Sequence, residues 1–342
     1  TSQHFNVGCD ETFDLGLGKS RALVEQRGKG RVYLDFLLEI HRLVQQHGHT
    51  MQFWGDIINQ HPDLVPEVPK DVIALEWGYD DDYDFERTTR LFAESGVPFY
   101  VCPGTSSWNS LSGRTENCIE NIRRAAYYGR ARGAAGLLNT DWGDHGHWQT
   151  LPVSYLGFAW GAALSWAHDA NVDADLPLLL DVYAFEDEAR VMGRLAYDLG
   201  NIYRVLERPG NMLFNVYVTP LKPEVKLDKR LRPRLHKALA MIDEIMAPLD
   251  QARMAGPDAD LIKREFQHAA QMLRHGAKRA LFQLEGSSLS APALADELDA
   301  IIAEHRAVWL ARNRPGGLDD SARKMAQARQ LFEGEARASI AE

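Results

Sequence analysis

Tyr33-Leu-Asp-Phe36-Leu37-Leu-Glu-Ile40-His-Arg-Leu43-Val44, followed by Gly48 and then Met51-Gln-Phe-Trp54, is the stretch that decides the fold. Tyr33, Phe36, Leu37, Ile40, Leu43 and Val44 recur at i, i+3, i+4, i+7, i+10 and i+11, the apolar stripe of a helix that covers a sheet. Gly48 stands where a left-handed helix cap is wanted. The short apolar run Met51 to Trp54 then reads as a buried strand.

The same unit repeats outward along the chain. Short runs at Phe5 to Val7, Val72 to Trp77, Pro98 to Cys102 and Gly136 to Thr140 alternate with helical patterns at Phe85 to Ser95 and Asn117 to Arg132. Gly96 and Gly133 follow those helices as Gly48 follows the first. Strands alternating with helices predict an α/β fold with a parallel sheet. Tyr155 to Ala167 is the longest apolar stretch; it is short of the roughly 18 residues a membrane span needs and reads as a buried helix.

Beyond about Asp169 the pattern becomes helical, at Asp181 to Leu206, Lys229 to Ala252, Asp258 to Leu284, Pro292 to Arg312 and from Asp319. Pro209-Gly210, Gly256-Pro257 and Pro315-Gly316-Gly317 punctuate it. The expected organisation is an α/β domain over residues 1–168 and a mainly helical extension over 169–342.

Across the whole chain of 342 residues, 45% are hydrophobic and 25% charged, with a formal net charge of -10. That balance supplies no basic field for a phosphate backbone, so nucleic acid is excluded as a partner. Three scattered cysteines, Cys9, Cys102 and Cys118, form neither a disulfide framework nor a zinc pattern, and suit a reducing compartment.

In parallel α/β folds, functional groups gather past the carboxyl ends of the strands. Here those ends carry Asp10-Glu11, Trp54-Gly-Asp56, Glu76-Trp77-Gly-Tyr79, Tyr100 through Trp108, and Asp141 through Trp148. Adjacent strand residues face opposite ways, so an acidic pair serves one ligand only where a strand turns into a loop. An Asp-Glu pair followed by Thr12 also suits a helix N-terminus, and that bland reading stands beside the functional one.

The segment Asn6-Val-Gly8-Cys9-Asp10-Glu11, running on to Leu15-Gly16, resembles the β-N-acetylhexosaminidases of glycoside hydrolase family 20, in particular their hexosaminidase D-like branch. The family pattern at this place is His-x-Gly-Gly-Asp-Glu, so Asn6 and Cys9 are departures. The resemblance covers about residues 4–168 and implies a (β/α)8 barrel represented from strand four onward. It implies removal of terminal β-linked N-acetylglucosamine or N-acetylgalactosamine with retention, the sugar's own acetamido oxygen acting as nucleophile. On that footing Asp10 orients and charge-stabilises the acetamido group, and Glu11 is the general acid/base. Trp54, Trp77, Trp108 and Trp142 wall the sugar pocket, Tyr100 holds the acetamido oxygen, and Asp144 grips outer hydroxyls. No cofactor and no metal is implied. Two further departures are Cys102, where the family carries a carboxylate, and Asp144, one methylene shorter than the usual Glu.

Two other readings attach to the same residues. A carbohydrate-binding or scaffolding relative would keep the aromatic residues without turnover. A metal-assisted hydrolase would use Asp141, Asp144, His145 and His147, with His47 and His49 as a second pair. The Ser106, Ser107, Asn109 and Arg114 loop and the Gly16-Leu-Gly18-Lys19-Ser20 loop lack nucleophile-elbow and phosphate-loop spacing, and are expected to serve as lid or substrate loops. The chain starts at Thr1 directly before a strand, which reads as the edge of a fragment. A half barrel leaves strand edges open, and self-association or a missing N-terminal half is the expected consequence.

Overall fold

The computed structural model describes residues 2–206, 213–215, 230–285 and 290–329. Five parallel strands form one sheet: β1 (His4–Asn6), β2 (Thr50–Trp54), β3 (Ile73–Trp77), β4 (Phe99–Cys102) and β5 (Gly136–Leu137). Their spatial order is their chain order, so each crossover joins nearest neighbours. The register sets Asn6 beside Gln52, Trp54 beside Leu75, and Trp77 beside Cys102. The α/β class and the parallel sheet expected from the sequence are present.

The crossovers contain α1 (Arg21–Arg27) and α2 (Lys29–Gln46), then α3 (Asp56–Asn59), α4 (Phe85–Ser95) and α5 (Thr115–Ala131). Gly48, Gly96 and Gly133 all take positive φ near 73°, as caps placed after helices require. On α2 the buried face is Tyr33, Leu34, Leu37 and Val44, whereas Phe36 and Leu43 are 65% and 48% exposed. The stripe is thus narrower than its periodicity suggests, because the sheet touches only one side of the helix. One face of the sheet packs Phe53, Ala74, Phe99 and Val101 against Leu34, Leu37, Phe85 and Phe92. Each large side chain so buried contributes roughly 1.5–3 kcal/mol.

The chain divides into two compact units. The first comprises Thr1–Gly104, Ile119–Thr140 and Gly161–Val172, and holds the sheet; the second comprises Thr105–Cys118, Asp141–Trp160 and Asp173–Glu342. A cut near residue 168 falls inside α6 (Leu151–Asn171), and the loops after β4 and β5 cluster with the helical region. On α6, Trp160 and Leu164 are buried but Trp166 is 89% exposed, so the helix is not buried all round.

The helical region contains α7 (Leu176–Tyr183), α8 (Met192–Leu199), α9 (Ile202–Val205), α10 (Leu231–Met246), α11 (Ala259–Glu285), α12 (Ala291–Arg312) and α13 (Leu318–Ala326). The single helix expected over Asp181 to Leu206 is instead three. Glu186 and Arg190 take positive φ, and the Asp187 carboxylate accepts from the amides of Ala189, Val191, Met192 and Arg253. Those four donors stabilise a loop in place of helical turns. Lys229 and Pro209-Gly210 lie outside the described residues. Among the described residues, no helix is long and apolar enough to cross a membrane.

Candidate functional site

The acidic pair follows β1 on a turn that several contacts define. The parallel ladder runs on past the strand, with Val7 N–H donating to Gln52 O at 2.9 Å and Trp54 N–H to Gly8 O at 3.0 Å. Asn6 Oδ1 then accepts from Gly8 N–H at 2.8 Å, closing a side-chain turn. Gly8, Cys9 and Glu11 have φ of 73°, 70° and 48°. Left-handed backbone at a non-glycine residue costs roughly 1–2 kcal/mol, so Cys9 and Glu11 need external holds.

Both holds are visible. Tyr33 OH, from α2, donates to Cys9 O at 3.0 Å. Glu11 N–H donates to Asp56 Oδ2 at 3.0 Å, from the first turn of α3. A hydrogen bond to a charged group contributes about 1.5–3 kcal/mol, enough to offset the strain. Asp10 and Glu11 are both exposed residues. Burial pushes the Cys9 thiol up, with Asp10 and Asp56 adding to it, so Cys9 stays a neutral filler under the turn. Burial likewise raises Asp56, against which the Glu11 amide and the Trp77 indole N–H favour its charged form.

The aromatic residues come together on one face of the sheet. Trp54, Ile73, Leu75 and Cys102 form a buried cluster, and Trp77 and Tyr100 pack against it. Trp77 stacks on Tyr79 with centroids 5.0 Å apart. Tyr100 lies over Gly136, where an added Cβ would meet its ring at 3.0 Å. Cys102 is fully buried in this cluster, and burial drives its thiol well above the usual range. It packs; it offers no charge.

Behind Trp77 lies a polar group that the sequence reading passed over. Glu76 is fully buried, with Asn59 Nδ2 donating to Oε2 and Tyr83 OH donating to Oε1 at 2.7 Å. Burial pushes its carboxyl up to about 7, against those donors and Thr88. Gly78 lets the Tyr83 ring approach, since a Cβ there would sit 2.3 Å from it. Glu76 therefore ties α3 and the loop after β3 together beneath the aromatic face.

Trp108, Trp142 and Asp144 belong to the second unit. Trp108 is buried, and Trp142 is 38% exposed with its carbonyl accepting from Gln149 Nε2 at 2.7 Å. Asn109 Nδ2 donates to Asp144 Oδ2 at 3.3 Å, joining the two loops. Asp141 accepts from Thr105 at 2.6 Å and from Ser107.

Ser106, Ser107 and Ser110 do not stand free: all three are buried, with Asn117 Nδ2 of α5 donating to Ser106, Ser107 donating to Asp141 after β5, and Ser110 donating to the Ser107 carbonyl. The histidines do not converge either. His147 packs edge-on to Trp309 with centroids 5.9 Å apart, while His145 faces Phe214. Burial lowers His147, which keeps it neutral. His47 caps α2, and His49 faces Phe5. Among the described residues, no three His, Cys, Asp or Glu side chains are grouped to hold a metal ion. The Gly16 to Ser20 loop is a turn into α1, with Gly16 N–H donating to Ser20 Oγ at 2.9 Å.

A scan against models of protein families finds no match, and no curated protein matches the chain. Asp56, Tyr33 and Glu76 are the residues that sequence reasoning missed. Asp56 and Glu76 already stood in the polar strand-end pattern; Tyr33 was hidden in a helical stripe.

Proposed function

We propose that the chain is the catalytic part of a retaining β-N-acetylhexosaminidase, its five strands forming strands four to eight of a (β/α)8 barrel. The observation that carries this is the gathering of Trp54, Trp77 and Tyr100 on one face of β2, β3 and β4, with the exposed Asp10-Glu11 turn following β1, the neighbour of β2. Apolar ring faces with a polar rim suit a pyranose, whose C–H face is apolar and whose edge is hydroxylated. The sequential parallel order of the strands agrees with a barrel segment.

In this reading Glu11 protonates the leaving glycosidic oxygen and later takes a proton from water. Asp10 accepts from the acetamido N–H and stabilises the positive charge as the acetamido oxygen attacks the anomeric carbon, giving an oxazolinium-type intermediate. Tyr100 donates to that oxygen. For Trp108, Trp142 and Asp144, which belong to the second unit, the resemblance alone implies a role in the pocket wall and in gripping outer hydroxyls. The buried Cys102 favours one second reading, a sugar-binding relative without turnover, because the carboxylate partner of the family is absent there. Incubation with aryl β-N-acetylglucosaminide and galactosaminide separates the two. Release of the phenol with the β-anomer formed first is expected; saturable sugar binding without release would establish the second reading instead.

A further inference from the structure

We propose that Asp56 is a positioning residue for Glu11: its carboxylate holds the Glu11 peptide in the left-handed turn that sets where the Glu11 side chain points. This inference rests on the hexosaminidase reading for its catalytic consequence, but its geometric half stands independently.

Asp56 occupies the first turn of α3, where an aspartate ordinarily bonds an amide of its own helix. Its Oδ2 instead reaches Glu11 N–H, 45 residues away in sequence, at 3.0 Å. Its Oδ1 is buried and has no hydrogen-bond partner. The Trp77 indole N–H, at the end of β3, favours the charged form of this carboxylate. Glu11 has φ of 48°, a conformation a glutamate avoids unless it is fixed. Tyr33 fixes the turn at Cys9 O. Asp56 is the contact that fixes it at Glu11 itself.

The turn direction matters because proton transfer to a leaving oxygen demands placement within a fraction of an ångström; a displacement of about 1 Å can cost about 100-fold in rate. In this proposal Asp56 acts through the Glu11 peptide and not on the substrate. Its loss should therefore lower kcat while leaving KM nearly as it was.

The experiment uses the full chain with a chromogenic N-acetylhexosaminide, alongside hydrogen exchange at the Glu11 amide. Asp56→Ala is expected to lower kcat by ~10- to 100-fold with little change in KM. It should also speed exchange of the Glu11 amide by at least ~10-fold. Asp56→Asn keeps an acceptor oxygen in place and should lower kcat and protection by a smaller factor. If Asp56→Ala does not fold, Asp56→Asn and Asp56→Ser carry the comparison, with the serine expected to be the worse of the two. Wild-type kcat in these variants, or unchanged Glu11 exchange, overturns the proposal. Equal rises in KM and falls in kcat would make Asp56 a binding or folding residue and overturn it too. If the unmodified chain turns over no N-acetylhexosaminide, the hexosaminidase reading falls, and the exchange measurement alone decides whether Asp56 holds the turn.

Discussion

Asp10 and Glu11 share a turn, and under the proposed hexosaminidase reading they have separate tasks that leaving-group chemistry tells apart. A proton donor matters most when the departing oxygen is basic, so Glu11→Gln should cripple natural disaccharides and largely spare aryl glycosides of acidic phenols in the first step. On the same reading Asp10 acts on the acetamido group that every substrate carries, so Asp10→Asn should slow good and poor leaving groups by similar factors. Both changes are isosteric, and both residues are exposed, so packing is little disturbed. The check is kcat/KM across phenols of graded acidity. A slope for Glu11→Gln no steeper than that for Asp10→Asn would reverse the assignment. That Trp54, Trp77 and Tyr100 share one sheet face was legible in the sequence because each stands in a short apolar strand run. The Asp56 contact was not, since it depends on which neighbouring strand end the β1 turn meets. Tyr33 shows a related limit: one side chain fills a helical stripe and donates through its hydroxyl, and periodicity reports only the first role.

Among the helices, periodicity located α10, α11, α12 and α13 to within a few residues, because each buries one continuous face. It failed over α7 to α9, where buried Asp187 and Asp181 take backbone donors away from helical turns. A buried charge gathering amides leaves no trace in an apolar pattern. The same elements carry a second hidden feature. His268 on α11 and His305 on α12 are buried and stacked, with centroids 5.8 Å apart. Burial lowers His268 to about 4, with Arg264 adding to it. Burial lowers His305 to about 3, with His268, His147 and Arg306 adding to it. In the unfolded chain both return to about 6.5. Below that pH the unfolded state binds protons that the folded state refuses, so stability falls as pH drops from about 6.5 towards about 3. Thermal unfolding between pH 7 and 4 should therefore show a smaller fall in Tm for His268→Phe than for the unmodified chain. Parallel curves would mean that carboxylates alone govern the acid limb.

At the scale of the whole molecule, the sheet has two open edges, and both lie beside exposed apolar side chains. Among the described residues β1 pairs with β2 alone and β5 with β4 alone, so each presents backbone donors and acceptors that water must satisfy. Phe5 on β1 is 54% exposed, and Phe13 and Leu17 in the following loop are 74% and 77% exposed. Near β5, Leu137, Leu164 and Trp166 line a cavity of about 670 Å³. Unprotected edges of this kind template pairing with another chain, and contiguous apolar surface adds a driving force. The edges carry no proline, and β1 carries no lysine to oppose such pairing. The chain alone is therefore expected to self-associate, with a mass in light scattering that rises between micromolar and tens of micromolar concentration. Phe5→Lys places a charge on the β1 edge and should shift that rise to several-fold higher concentration. Trp166→Glu should act in the same direction from the other edge, and the two effects should add because the sites are separate. A monodisperse monomer across the range would show that the edges are protected as they stand. A rise in mass that neither substitution moves would place the contact on another surface, with the exposed Phe36 and Leu43 of α2 the next pair to change.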